Sequence, residues 1–183
     1  MKKILLTLAL ATAFSAQAVE YTQVQPDKSA INFTYKQMGV AVDGQFRKFT
    51  SQLNFDPAKP TAAKATFEVE LASVDTGAPE GDQEVAGKPW FNTRAFPTAR
   101  FVSGTVKPLG GNKVEVAGQL TIKGKTQDVV VPATFTPQGN SGVFDGSFTI
   151  RRADFSIGEG SWAKFDIVAN DVLIKFRITA NSK

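Results

Sequence analysis

Four carboxylates are spaced so that they could act in pairs: Asp82 with Glu84, and Asp154 with Glu159. Two neighbouring carboxyl groups can divide the roles of general acid and general base, one keeping its proton while the other is ionised. Nothing in either spacing requires that arrangement. The chain has no His and no Cys. A Ser-His-Asp or Cys-His nucleophile therefore cannot be assembled, and zinc and copper lose their usual ligands. Carboxylates alone can hold calcium, but the spacing of an EF-hand loop is missing. The expectation is a protein with no catalytic residue, no metal site and no cofactor.

The other chemistry on offer is apolar. Phe occurs 15 times, against two each of Met, Trp and Tyr. Phe33, Phe46, Phe67, Phe101, Phe135, Phe148 and Phe176 share the inward phase of alternating stretches. Any single one reads as ordinary core; together they could also line a cavity for an apolar guest. Trp90-Phe91 and Trp162 fall in irregular stretches, as caps on one end of the fold or as a lid over a mouth. Arg94, Arg100, Arg151 and Arg152 lie near those stretches. They are either solvated or paired, or one of them meets a polar head group. Arg94 and Arg100 are the head-group candidates.

The elements that must position these residues are strands. Ile31, Phe33 and Tyr35 alternate with Asn32, Thr34 and Lys36. Gly44 to Phe55 reads as one strand with a phase change near Arg47-Lys48, the signature of a bulge. Ala65 to Leu71 alternates, and strands are also expected at Thr98 to Lys107, Val143 to Arg152 and Ala169 to Ala180. Gly118 to Phe135 reads as a hairpin, with Leu120 and Ile122 on one face and Val129, Val131, Ala133 and Phe135 in phase across the turn. Its inner face meets either a packed core or a cavity, and periodicity does not choose. Thr76 to Phe96 breaks the rhythm with several Gly and Pro residues and room for short helical turns. The sum is all-β: one antiparallel barrel of about eight strands, or a sandwich, in a single domain.

The first residues address the chain. Met1-Lys2-Lys3, the apolar run Ile4 to Phe14 and Ala16-Gln17-Ala18 compose a secretory signal peptide, residues 1–18, cut after Ala18. The folded domain is residues 19–183, and export to a Gram-negative periplasm is expected. The full chain carries 21 basic and 17 acidic side chains. Losing Lys2 and Lys3 leaves a net charge of +2, with basic residues scattered, so nucleic acid is not an expected partner. Without Cys the domain must be held by its core.

Five motifs in order resemble a known family. They are Gly44-x-Phe46-x-x-Phe49, Ser73-Val74-Asp75-Thr76-Gly77 and Phe96-Pro97-Thr98-Ala99-Arg100-Phe101. The other two run from Gly118 through Thr126, and from Ile150 through Gly158. Together they resemble the YceI-like family of bacterial lipid- and polyisoprenoid-binding proteins. The resemblance implies a lipocalin-like barrel around an elongated apolar tunnel. It also implies a cargo of isoprenoid, quinone-type or fatty-amide lipid, for transport, storage or stress protection, without catalysis. On this resemblance the tunnel is lined by Phe33, Tyr35, Phe46, Phe67, Trp90, Phe91, Phe101, Leu120, Phe148, Trp162 and Phe176. Family members encoded beside cytochrome b561-type proteins point to a membrane redox partner as an alternative role. A carboxylate-based lipid hydrolase is the lesser alternative, and a homodimer through a strand edge is open. Many members place a His after the Ser-x-Asp-Thr-Gly piece, where this chain has Asp82-Gln83-Glu84.

Overall fold

The computed structural model describes residues 19–183; the leader read at residues 1–18 lies outside the described residues. The strands are β1 (Tyr21–Val24), β2 (Ala30–Gln37), β3 (Val40–Phe46), β4 (Phe49–Asn54), β5 (Lys64–Glu70) and β6 (Val74–Asp75). After the helix α1 (Pro79–Ala86) come β7 (Thr98–Gly110), β8 (Lys113–Ile122), β9 (Lys125–Gln138), β10 (Ser141–Arg151) and β11 (Asp171–Ser182). The fold is the expected lipocalin-like antiparallel β architecture with short helical turns. The strand number is corrected upward, from about eight to 11 among the described residues, all in one sheet. The short β1 and the two-residue β6 give too little alternation to be seen in sequence.

The strand order is β4-β5-β7-β8-β9-β10-β11-β2-β3-β6, with β1 on β11. Thus β3 and β4, joined only by Arg47-Lys48, stand near opposite ends of the sheet. The sheet is curled so far that two residues carry the chain across its seam. The expected bulge is corrected accordingly: Arg47-Lys48 is a crossing between two strands. Across the seam the Arg47 N–H donates to the Ser73 carbonyl at 3.0 Å and the Glu70 N–H to the Lys48 carbonyl at 3.1 Å.

Curling needs room on the concave side. Gly44 faces Phe33 on β2, and Gly146 faces Phe176 on β11. A Cβ at either position would collide with the ring opposite. The glycines let large inward rings lie flat over a bent strand. At Pro132, which has no N–H to give, the β9–β10 pairing stops at Ala133↔Gly146. The split is bridged by the Gln127 side chain, which donates to the Asp154 carbonyl at 3.0 Å.

The interior has two halves. At one end Phe135 meets Tyr21, Phe55 and Phe144 with ring centroids 4.9–5.0 Å apart. That end is the more closely packed, with Phe55 and Phe144 bordering only a small cavity of about 90 Å³. At the other, Leu71, Trp90, Ile122, Ile150, Phe155 and Val168 are buried beneath α1 and the 152–170 segment. The hairpin of Gly118 to Phe135 spans both, so its two readings are each right for part of its length. Leu120, Ile122 and Val131 border cavities, whereas Phe135 is core. Truncating Phe135 to Ala should cost about 3–5 kcal/mol, read as a lower urea midpoint.

Candidate functional site

Eight strands, β2, β3, β5, β6, β7, β8, β10 and β11, aim apolar side chains at one space. The largest cavity, about 270 Å³, is bordered by Phe33 and Tyr35 from β2, Phe46 from β3, Leu120 from β8 and Phe148 from β10. Trp90, Phe91 and Trp162 close it from the irregular segments. A second cavity of about 130 Å³ and a third of about 90 Å³ continue into the barrel. Ala99, Leu120, Phe148 and Ile174 border both the first and second. Phe67, Phe101, Val131 and Phe176 border both the second and third. All eleven residues named for the tunnel wall therefore lie along one chain of cavities. The walls are almost wholly hydrocarbon and aromatic carbon.

The two head-group candidates do not reach it. Arg100 lies between Ala99 and Phe101, so the period of two turns it outward, where its Nε donates to Glu68 at 3.0 Å. Arg94 is exposed in the turns after Trp90 and borders none of the cavities. The guanidinium at the cavity is Arg152, which is 2% exposed. Ile150 and Arg152 point inward while Arg151 points out, and this alternation was the available signal. Arg152 has no carboxylate partner. Its Nε donates to Ala169, its Nη1 to Ile157 and Gly158, and its Nη2 to Trp162, Lys164 and Val168, at 2.8–3.1 Å. The Trp90 and Phe165 rings lie 5.5 and 5.0 Å from the guanidinium carbon. Burial draws its pKa below the usual value, but a guanidinium stays charged at neutral pH. Every N–H is already engaged with a carbonyl, so this cation holds a loop and offers no donor to a ligand anion.

The roof above the cavity is tied by side chains. Asp82 accepts from the Thr76 N–H at 2.7 Å and the Thr76 hydroxyl at 2.8 Å, fixing α1 to the strand before it. The Trp162 indole donates to Glu84 at 2.7 Å, and its ring lies 5.4 Å from that of Trp90. Lys123, at the β8–β9 turn, is buried and reaches Glu159 and the Ser156 carbonyl, each at 2.7 Å. That contact pulls the Glu159 carboxyl below its usual pKa. Burial, and then the charge of Asp82, push the Tyr35 hydroxyl up. The four carboxylates of the sequence reading thus have separate partners: Thr76, Trp162, Arg151 for Asp154, and Lys123. They do not face one another as acid and base. Lys123 was missed in sequence because a lysine in a turn ordinarily reads as solvated.

Comparison with known proteins gives one answer. Residues 22–180 match the YceI-like domain. A UPF0312 protein of Pseudomonas fluorescens is 34% identical over 172 residues, 85% of this chain and 87% of that one. The crystal structure of Burkholderia cenocepacia BcnA is 43% identical with a TM-score of 0.85, covering 87% of this chain and 100% of that one. A polyisoprenoid-binding domain from Saccharophagus degradans, implicated in plant cell wall breakdown, shares the fold. It matches at 15% identity and a TM-score of 0.68, over 90% and 99% of the two chains.

Two outcomes follow from the roof geometry. Lys cannot reproduce the planar five-donor fork, so Arg152→Lys should leave carbonyls unpaired and cost at least about 2 kcal/mol. Hydrogen exchange should rise first in residues 157–169. Glu159 has a lowered folded pKa, so its latch to Lys123 contributes above the ordinary glutamate range and is lost as pH falls through the lowered value. Acid should therefore loosen residues 156–159 in the parent, and Lys123→Met should abolish that pH dependence.

Proposed function

The chain belongs to the YceI-like family, and from that membership and its tunnel we propose that it is a binding protein for one long-chain isoprenoid or related lipid. The observation that carries this reading is the run of three apolar cavities with shared walls. A packed core leaves few voids larger than a water molecule, and three in a row along one axis trace a path for an elongated guest. That the Saccharophagus degradans domain is a polyisoprenoid-binding one supports the ligand class.

The energetics fit a carrier. Moving a prenyl chain from water into the tunnel gains roughly 25 cal/mol per Å² of apolar surface, with no polar contact required. Chain length is then read weakly, at about 1–3 kcal/mol per methylene at best. The phenyl rings of the wall are held by strand geometry, so little side-chain ordering opposes binding. Catalysis has no support in the cavity, where the carboxylates serve structural contacts. The leader at residues 1–18 supports export, and the periplasm is the proposed compartment.

Native mass spectrometry of the purified protein with added solanesol tests the reading. A one-to-one complex is expected. A protein that carries no lipid and takes none up would overturn it. Ala99 offers a sharper check, since it borders the first and second cavities and is 8% exposed. Ala99→Leu should plug the junction. Solanesol affinity should fall by roughly tenfold or more while geraniol, which needs only the outer cavity, binds as before.

A further inference from the structure

Four of the exposed large apolar side chains sit together. Met38 stands in the turn between β2 and β3 and Val40 opens β3, at 77% and 66% exposed; Phe165 and Ile167, at 48% and 42%, stand on the loop before β11. The two tips are joined: the Met38 N–H donates to the Ile167 carbonyl at 2.7 Å, and Gln37 bridges Val168. Gln37 and Val168 border the largest of the three cavities, so the four residues, which do not border it, form a rim just outside it. Val40 is the cross-strand partner of Gln37 and shares its inward face beyond the end of the barrel.

Met38 also stands where local stability disfavours it. It has φ +50° and Gly39 φ +84°, the left-handed pair of a two-residue hairpin turn. Asn-Gly suits such a turn, and a long unbranched side chain there is strained. At 77% exposure, packing returns almost nothing for that strain. Exposed Lys36 and Lys164 flank the tips, and neither forms an ion pair among the described residues. The acid between them, Asp166, accepts from the Ile167 N–H at 3.1 Å.

We propose that this rim is a docking surface for a lipid bilayer. Met38, Val40, Phe165 and Ile167 enter the boundary between head groups and acyl chains, and Lys36 and Lys164 meet head-group phosphates. The mouth then opens against the membrane, so an insoluble lipid passes without crossing water. Protruding apolar tips flanked by lysines suit a soft interface with anionic charge; a flat, rigid partner would leave them unmatched. The inference rests on the carrier reading, because a lipid cargo is what gives the rim its use.

The test is sedimentation with vesicles of phosphatidylcholine, alone or mixed with phosphatidylglycerol, for the parent, Met38→Asn and Met38→Asn/Val40→Thr. Geraniol and solanesol binding in detergent solution is followed in parallel. Parent protein should bind the mixed vesicles roughly fivefold more tightly than the neutral ones, and salt should erase the difference. The double variant should partition roughly tenfold more weakly while binding both prenols as before. Met38→Asn should unfold at a temperature no lower than the parent, since Asn suits the turn. Vesicle binding unchanged in the double variant would overturn the proposal. So would parent protein that ignores lipid vesicles, or that binds only membranes containing protein, the latter pointing to a protein receptor. Vesicle binding that depends on Met38 in a protein that takes up neither prenol would support the docking surface and sink the carrier reading.

Discussion

The buried Arg152 guanidinium is the contact on which the business end of this barrel depends. A cation away from water is costly unless its donors are met. Here six backbone carbonyls meet them, drawn from residues 157–169. The segment between β10 and β11 has little regular structure of its own. Its carbonyls would otherwise need water or a sheet partner, and the guanidinium supplies both charge and direction. The same group lies beside the Trp90 and Phe165 rings, so one side chain sets the loop, the inner wall and the outer rim. A cage of carbonyls without a carboxylate also keeps the site free of a second buried charge.

That arrangement explains why the two ends differ. At the far end, Tyr21, Phe55, Phe135 and Phe144 meet by direct ring contact, and closure comes from hydrophobic packing. At the near end, closure comes from polar latches: Asp82 to Thr76, Glu84 to Trp162, and Lys123 to Glu159. Packing leaves only small voids, whereas hydrogen-bonded latches can roof a larger open space. The largest cavity lies under the latched end, and the path narrows toward the packed one. A roof of this kind can also give way locally without unfolding the sheet, because few strand hydrogen bonds run through it.

Much of this was legible in sequence where the period of two was clean. Phe33, Phe67, Phe101, Leu120, Phe148 and Phe176 alternate with polar neighbours, and each borders the cavities. The same rule, applied to Ala99-Arg100-Phe101, turns Arg100 outward, and the head-group reading of that residue ignored it. Arg47-Lys48 looked like a bulge because a phase slip within one strand and a crossing between two strands leave the same local pattern. Only the pairing, β3 with β2 and β4 with β5, separates them. The Thr76 to Phe96 stretch was legible as irregular with short helical turns, and α1 lies within it, but how it and the 152–170 segment are held was not. Their order comes from distant partners, such as Trp162 on Glu84 at a separation of 78 residues, and not from any local propensity.

A chain with no His and no Cys has few ways to be specific, and this one leans on shape. Aromatic rings over glycines, as Phe33 over Gly44 and Phe176 over Gly146, bend the wall without surrendering hydrophobic area. The bend places large rings at intervals, and the gaps between them become the cavities. The charges that border the largest of the three cavities, Arg152 and Glu84, already have partners within the protein. A guest of the kind proposed above would therefore be read by its length and width, not by a polar grip deep inside. The burden of recognition would then fall on the wall itself, where Tyr35 and Gln37 bring polar atoms, whereas Met38 and Val40 border none of the three cavities and stand outside them.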